Sequence, residues 1–283
     1  ETKLWQMYER GKQKQWDAEK RIDWSLHVDP ENPTEISDQA LPLYGSPIYT
    51  RMTEKEKAAA RVHYQAWQFS QFMYGEQGPI VGASKLLQRA PNVEIQMFAA
   101  TQVVDEARHL EAYSKLLTDK YGVTYPAVRP LSRLAEQTFD DKRWDINSLG
   151  LQILIEGLAL GSFALLRDQS KNPLIVSINA YVMEDEARHV GFGRRILAPY
   201  YAGLSDAERK DREEFVIEAS YMLHDRLFAT ESVWENLGLP VKECLAWIRE
   251  SGFQKAWSST LFSRIVPAIR SIGLWSPAVQ ISY

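Results

Sequence analysis

The chain has one cysteine, Cys244, in 283 residues. An intrachain disulfide is therefore excluded, and a reducing cytoplasm is the expected compartment. Basic charge is not in excess: 33 Lys and Arg stand against 37 Asp and Glu, a formal charge of −4. That balance argues against a nucleic-acid binder held by a broad basic surface. A P-loop, a dinucleotide glycine motif and low-complexity segments are all missing. So are flavin, haem and iron–sulfur motifs, and electrons for any redox chemistry have to come from an external donor. The longest apolar run, 149–166, is broken by Gln152 and Glu156. It is too short and too acidic for a membrane span, and a buried helix is expected there. No basic-then-apolar leader opens the chain, which starts at Glu1 rather than Met, so a trimmed end stays open.

What the chain does have is a five-residue word spelled twice, Asp105-Glu106-Ala107-Arg108-His109 and Asp185-Glu186-Ala187-Arg188-His189. Each copy holds a Glu and a His three residues apart, which on a helix puts both side chains on one face, a turn apart. Thirty residues before each motif Glu sits another acid, Glu76 and Glu156, both in helical, largely apolar surroundings. Four carboxylates and two imidazoles so arranged are the ligand set of a carboxylate-bridged two-metal site in a four-helix bundle.

Hydrophobic residues at 45 % suffice for a sizeable core, and one all-α domain over 1–283 is expected. Its parts are an N-terminal arm (1–52), a metal-binding four-helix core (53–202) and accessory helices (203–283). In the arm, a short helix over about 3–20 should give way to an extended stretch up to Pro47, because prolines cannot sustain a helix. Trp5, Trp16 and Trp24 suggest that the arm lies along the main body. Thr53-Glu54-Lys55-Glu56 resembles a capping box that opens the first long helix. Gly75, Gly78 and Pro79 surround Glu76, and Pro79 is expected to kink that helix or open its hydrogen-bond ladder before it resumes over 80–88. Ala90-Pro91-Asn92 makes a turn into a second long helix, to about residue 121. A connector follows, with a short helix near 131–139. A third long helix starts at Asn147 or Ser148 and ends near Ser170, and Asn172-Pro173 opens a fourth, to about Ala202. Ser205-Asp206-Ala207-Glu208 caps a fifth, to about Asn236. Two more follow, and a tail with Trp275-Ser276-Pro277 is expected to be non-helical.

The midpoint between Glu76 and Glu106 is residue 91, and that between Glu156 and Glu186 is residue 171. Both fall on expected turns, so two hairpins with equal arms, each about 20 Å at the usual helical rise, bring the acids to one height. The offset of 80 residues is shared by both acids, which suggests two similar hairpins.

A single Glu-x-x-His pair is usually a solvated surface feature. Here Glu156 sits in Ile153-Leu154-Ile155-Glu156-Gly157-Leu158, where a lone ionised carboxylate costs several kcal/mol unless paired or ligated. Two divalent cations compensate four carboxylates; the competing arrangement is a salt-bridge network with Arg108 and Arg188. One imidazole per metal favours iron or manganese over zinc. Glu76, Glu106 and His109 are assigned to one metal and Glu156, Glu186 and His189 to the other, with Glu106 and Glu186 as bridges. Asp105 and Asp185 are natural acceptors for the distal N–H of a ligand histidine. His27, His63 and His224 stand apart and read as structural or exposed. Phe69, Phe72, Phe98, Gln102, Ile153, Phe163 and Val182 either line a pocket beside the metals or belong simply to the core.

The four-acid, two-histidine pattern resembles the ferritin-like di-iron carboxylate superfamily over about residues 53–202. Asp-Glu-x-Arg-His in duplicate is most similar to the hydroxylase subunits of soluble methane and toluene monooxygenases. Ribonucleotide reductase small subunits, acyl-carrier desaturases and arylamine N-oxygenases are more distant variants. The resemblance carries the six ligands onto Glu76, Glu106, His109, Glu156, Glu186 and His189, and implies that Asp105 bonds His189 and Asp185 bonds His109 across the site. It implies a ferritin-like bundle with added N- and C-terminal helices, holding two iron ions or one iron and one manganese. The implied activity is dioxygen activation for hydroxylation, N-oxygenation or desaturation of a small organic substrate, without nucleic acid or membrane, and with a homodimer open to it. Two departures stand out. The threonine of the hydroxylases and desaturases, one turn after the third-helix Glu, is replaced by Ala159 and Leu160, leaving that role to Ser162 or a water. The chain is also far shorter than a monooxygenase large subunit. Tyr113 lies four residues after His109, at the offset of the reductase radical tyrosine, and is either a core residue or redox active. A radical-generating oxidase and a ferroxidase are the alternative functions.

Overall fold

The structure, a computed structural model, describes residues 2–282 and contains helices and no strands among them. The arm holds α1 (Lys3–Gln13), α2 (Ala18–Arg21) and α3 (Pro47–Arg51). Two long helices follow, α4 (Glu54–Arg89) and α5 (Val93–Leu116), then α6 (Arg129–Asp140). The third bundle helix is a continuous run of α7 (Trp144–Ser148), a π-helical stretch (Leu149–Ile155) and α8 (Glu156–Gln169). The fourth is α9 (Pro173–Ala202). Behind them come α10 (Asp206–Arg226), α11 (Glu231–Asn236), α12 (Val241–Glu250), α13 (Phe253–Ser271) and α14 (Pro277–Ile281). Helices α4 and α5 form one hairpin, and α8 and α9 the other. This is the all-α, ferritin-like bundle expected from the sequence.

Local chemistry sets the ends of these helices. Thr53 and Glu56 close a reciprocal capping box on α4, and Ser205 and Glu208 close another on α10. Asn92 accepts from the Ile95 N–H, and Asn172 from those of Leu174 and Ile175, with Pro173 at the first helical position. The two hairpin turns therefore span residues 90–92 and 170–172, on the midpoints between the paired acids.

Several boundaries differ from expectation. The arm's helix ends at Gln13, because Asp17 turns its carboxylate onto the N–H groups of Glu19 and Lys20 and starts α2. Helix α4 runs unbroken through Pro79; the ring costs one ladder bond, to the Gly75 carbonyl, and the glycines of that turn leave it room. The third helix begins at Trp144, and its middle widens into π turns, for which the sequence carries no signature. The fifth ends at Arg226, with α11 starting separately. The tail is helical: Ser276 caps α14 and Pro277 takes its first position.

The apolar core falls into two bodies. One gathers Leu86 of α4, Phe98 of α5, Ile153 and Leu158 of the third helix and Phe192 of α9. The other gathers Phe69 and Phe72 of α4, Tyr113 of α5, Phe163 of α8 and Val182 of α9. The acids and histidines lie between them. Residues Trp144–Gln169 are long and apolar enough to cross a membrane, but 83 % of the most apolar window is buried inside the fold.

The π stretch passes close to α6 at Gly150, where a Cβ would stand 2.4 Å from Thr138 Cγ2 and 2.6 Å from its Oγ1. A short β-branched side chain cannot swing clear. Gly150→Val should therefore cost about 2 kcal/mol or more by overpacking. Gly75→Ala, with nothing within 4 Å of its Cβ, should be neutral or stabilising by up to about 1 kcal/mol. Denaturant midpoints of the two variants check both signs.

Candidate metal centre

Four helices each bring part of the site. Helix α4 supplies Glu76, α5 supplies Glu106 and His109, the first residue of α8 is Glu156, and α9 supplies Glu186 and His189. All six side chains are buried, and both histidines are fully so. Ligand atoms of Glu76, Glu106, His109 and Glu186 lie within 4.8 Å of one another, as do those of Glu106, Glu156, Glu186 and His189. The sequence-predicted residues thus gather in two clusters that share two acids.

The sharing is by separate oxygens. His109 Nδ1 lies 3.5 Å from Glu106 Oε2 and 3.1 Å from Glu186 Oε1. His189 Nδ1 lies 3.2 Å from Glu106 Oε1 and 3.5 Å from Glu186 Oε2. Glu76 approaches only His109, at 3.3 Å, and Glu156 only His189, at 3.7 Å. Each shared carboxylate turns one oxygen to each cluster, as a bridging ligand must.

Several of these atoms are buried with no hydrogen-bond partner: Glu106 Oε2, Glu156 Oε2, both oxygens of Glu186 and His189 Nδ1. They are close to one another, yet not aligned as donors and acceptors. Orphaned carboxylate oxygens facing each other in an apolar core are a costly arrangement for protein groups alone. A pair of cations among them resolves it, and the donor set of oxygen with one imidazole nitrogen per cluster suits iron or manganese. The fit to a two-metal centre is therefore good.

Electrostatics agree. Burial pushes the Glu76 carboxyl up to about 8, with the Glu186 charge adding and His109 opposing. Burial and Glu186 likewise drive Glu156 well above the carboxylate range. Glu106 is also buried, but the two imidazoles beside it outweigh desolvation and hold it low. Burial would lower both histidines, yet the surrounding carboxylates raise them well above the ordinary imidazole value. The centre thus divides into groups that resist charge and groups that require it.

A second ring of polar contacts fixes the histidines. His109 Nε2 is 3.0 Å from Asp185 Oδ2, and His189 Nε2 is 3.1 Å from Asp105 Oδ2. The aspartates cross between hairpins in the pattern implied by the resemblance. Arg108 donates to Asp105 at 2.5 Å and to Asp185 at 2.8 Å, and Arg188 also reaches both. The motif arginines therefore serve the aspartates and not the glutamates, and leave the latter's charge uncompensated.

Sequence reasoning missed two contributors, Trp16 and Gln15, and named a third, Gln102, only as a pocket-lining or core residue. Trp16 of the arm donates its indole N–H to Asp185 Oδ2 at 2.8 Å, and its ring packs over Arg108 and against His109. Gln15 donates to Asp105 at 2.7 Å and accepts from Arg108 at 2.6 Å. Gln102 donates to Glu156 at 2.7 Å and to Glu106 at 3.0 Å, and is held in turn by Gln152. For Trp16 and Gln15 the signal was the tryptophan-rich arm, and it pointed to burial, not to a partner. Tyr113 is fully buried among Phe69, Phe72 and Phe163, and its hydroxyl donates to Asn179 Oδ1 at 3.1 Å. Ser162 donates weakly to the Leu158 carbonyl at 3.4 Å.

Comparison with known proteins follows the same line. The family model described as p-aminobenzoate N-oxygenase AurF matches residues 1–273. No curated protein sequence matches the chain. Among solved structures, an R2-like ligand-binding oxidase variant with an aerobically reconstituted Mn/Fe cofactor is similar with a TM-score of 0.60 at 15 % identity, covering 97 % of this chain and 94 % of that one. A Synechococcus protein with aldehyde deformylating oxidase activity gives 0.57 at 18 % identity, over 80 % of this chain and 97 % of its own. At such identities these two speak for the fold, whereas the family model spans nearly the whole sequence. The chain belongs to the p-aminobenzoate N-oxygenase AurF family, and it is a non-haem di-iron oxygenase.

Proposed function

We propose that the protein inserts one oxygen atom from dioxygen into the nitrogen of a small organic amine, the second oxygen leaving as water with two electrons and two protons from an external donor. In this reading Glu76, Glu106 and His109 would hold one metal and Glu156, Glu186 and His189 the other, with Glu106 and Glu186 reaching both clusters. The observation that carries it is the division of both bridging carboxylates between the two clusters. The site is assigned to the cytoplasm, in keeping with the buried, unpaired thiol of Cys244.

An iron pair held by these residues would supply the redox chemistry for opening the O–O bond, passing on the two electrons of the external donor. The protein's part is to hold and to adjust. Asp185 and Asp105 orient the imidazoles from behind and keep Nδ1 turned toward the glutamates. Burial would raise the Asp185 carboxyl, but His109 above all, and then Arg188 and Arg108, hold it far below its usual range, so the acceptor stays ionised. Gln102 gives Glu156 and Glu106 one hydrogen bond each without adding charge, and leaves Oε2 of both without a protein partner. The two apolar bodies on either side exclude bulk water, which protects a reactive centre from side reactions. Tyr113 is assigned to the wall: its hydroxyl faces an amide oxygen and not a carboxylate that could take its proton.

Expressed in iron-supplemented medium, the chain should bind about two metals. After reduction it should transfer one atom of isotope-labelled dioxygen to an arylamine, read by mass spectrometry. Glu106→Ala should lose metal and turnover while keeping its helical circular dichroism. A metal-poor wild-type protein would sink the assignment.

The proton balance gives a second check. In chelator-stripped protein, Glu76, Glu156, His109 and His189 all hold protons to higher pH than their ordinary values. The folded chain then binds more protons than the unfolded one, so its stability should fall as pH rises from 6.5 toward 8. Metal uptake should release protons in that window. Melting curves and calorimetry in buffers of different ionisation enthalpy measure the two effects.

Tyr113→Phe should retain turnover within a few-fold. Loss of a stable tyrosyl radical signal together with activity in that variant would instead assign Tyr113 the redox role.

A further inference from the structure

Helices α4 and α6 pack closely at one end and part toward the metal centre. A Cβ on Gly82 would stand 2.4 Å from Phe139 Cε1, and one on Gly78 3.5 Å from Phe139 Cε2. One on Gly75, the residue before Glu76, would meet nothing within 4 Å. The gap that opens is a groove of about 410 Å³, within the roughly 300–1,000 Å³ of small-molecule sites. Gly75 and Pro79 of α4 face Leu131, Ala135 and Phe139 of α6 across it, and Ile155 lines it as well. Ile155 is buried, ends the π stretch and directly precedes Glu156. The groove therefore runs beside the two lone glutamates, each of which approaches one histidine. No residue of α5, α9 or the arm lines it. It reaches the centre from the side opposite the histidines and their aspartates.

The polar atoms of the groove are mainly acceptors. Pro79 has no N–H, so the Gly75 carbonyl lacks the donor that a helix supplies four residues on. No donor from outside the helix reaches that carbonyl among the described residues. Residues 75 and 79 stand one turn apart on one face, and that face lines the groove. Glu136 and Asp140 add carboxylates, and Ser132 a hydroxyl. The one cation on the wall, Lys85, is 2.9 Å from Asp140 Oδ1 and so already committed. Apolar walls with acceptors and no spare positive charge suit an uncharged N–H donor carrying an apolar body, and disfavour an anion.

We propose that this groove is the entry site of the oxygenase, where the amine docks with an N–H donated to the Gly75 carbonyl before passing Ile155 to the centre. This rests on the N-oxygenation reading given above and adds the port through which its substrate arrives.

The first arm of the test is binding, which needs neither dioxygen nor electrons. Metal-loaded full-length protein is titrated with para-fluoroaniline and para-fluorotoluene, both uncharged at neutral pH, alike in shape and different in N–H donors. Fluorine NMR reads the occupancy. The amine should bind about fivefold or more tightly, as one hydrogen bond between neutral groups provides. Pro79→Ala, which restores a helical donor to the Gly75 carbonyl, should abolish that preference with metal content unchanged. Ala135→Leu fills the groove from α6 and should weaken both probes about tenfold. Gly75→Leu fills it from α4 and serves where Ala135→Leu does not fold. The second arm is turnover, in which Ala135→Leu should raise KM for the amine about tenfold and leave kcat within about twofold. Equal binding of the two probes, a preference that survives Pro79→Ala, or unaltered affinity in the filled variants overturns the proposal. So does an unchanged KM in Ala135→Leu. Amine binding that follows these variants in a protein that oxidises no amine supports the docking site and sinks the oxygenation reading instead.

Discussion

Four buried carboxylates, three of them with unpaired oxygens, set between two apolar bodies, are the constraint on which the rest of the structure depends. Each ionised acid in such a place costs several kcal/mol unless opposite charge is brought to it. The protein does not bring it. The motif arginines, the nearest cations in sequence, are turned outward onto Asp105 and Asp185. What faces the glutamates is a pair of imidazoles, which cannot balance four negative charges. A folded chain of this kind is built to be completed by cations, and its metal-free form has to take up protons instead.

The outward turn of the arginines has a second effect. By satisfying the aspartates, they leave each aspartate one strong interaction with an imidazole Nε2, and so fix both ring orientations. Arm residues extend this ring of contacts: Gln15 and Trp16, between α1 and α2, bond Asp105 and Asp185 directly. The arm is therefore part of the site's support rather than a covering. Truncation before residue 17 would remove two donors from a buried network, whose remaining members would be left partly unsatisfied.

Much of this was legible in the sequence, for a physical reason. Helical ligands repeat at helical spacing, and a hairpin with equal arms puts paired acids at equal distances from its turn. Glu76, Glu106, Glu156 and Glu186 could thus be set at one height before any fold was known. Caps were equally legible, because Thr53, Asn92, Asn172 and Ser205 act within three residues of themselves. The π turns over Leu149–Ile155 were not, since they follow from packing against α6 and α9, and no residue type encodes them. Gln102 was legible only as a polar residue on a core face, because its partners are 4 and 54 positions away. Trp16 and Gln15 act over 90 residues or more, beyond any periodicity.

That division also separates what is symmetric from what is not. The gathered set is nearly two-fold: each half gives a lone Glu, a Glu common to both clusters, a His and a crossing Asp, with one offset throughout. Symmetry of this kind can hold two metals, but it cannot by itself direct an oxidant to one substrate. The asymmetry comes from residues outside the repeated motif. Trp16 packs beside His109 and bonds Asp185, whereas His189 meets Phe98. Gln102 serves Glu156 and leaves Glu76 without an amide donor. Arg226, the last residue of α10, is a buried cation on which the charge of Glu76 acts. These residues belong to no repeated motif, and those of the arm and of α10 lie far from the glutamates in sequence. This explains how the metal site can be read from a repeated five-residue word while the substrate's place cannot.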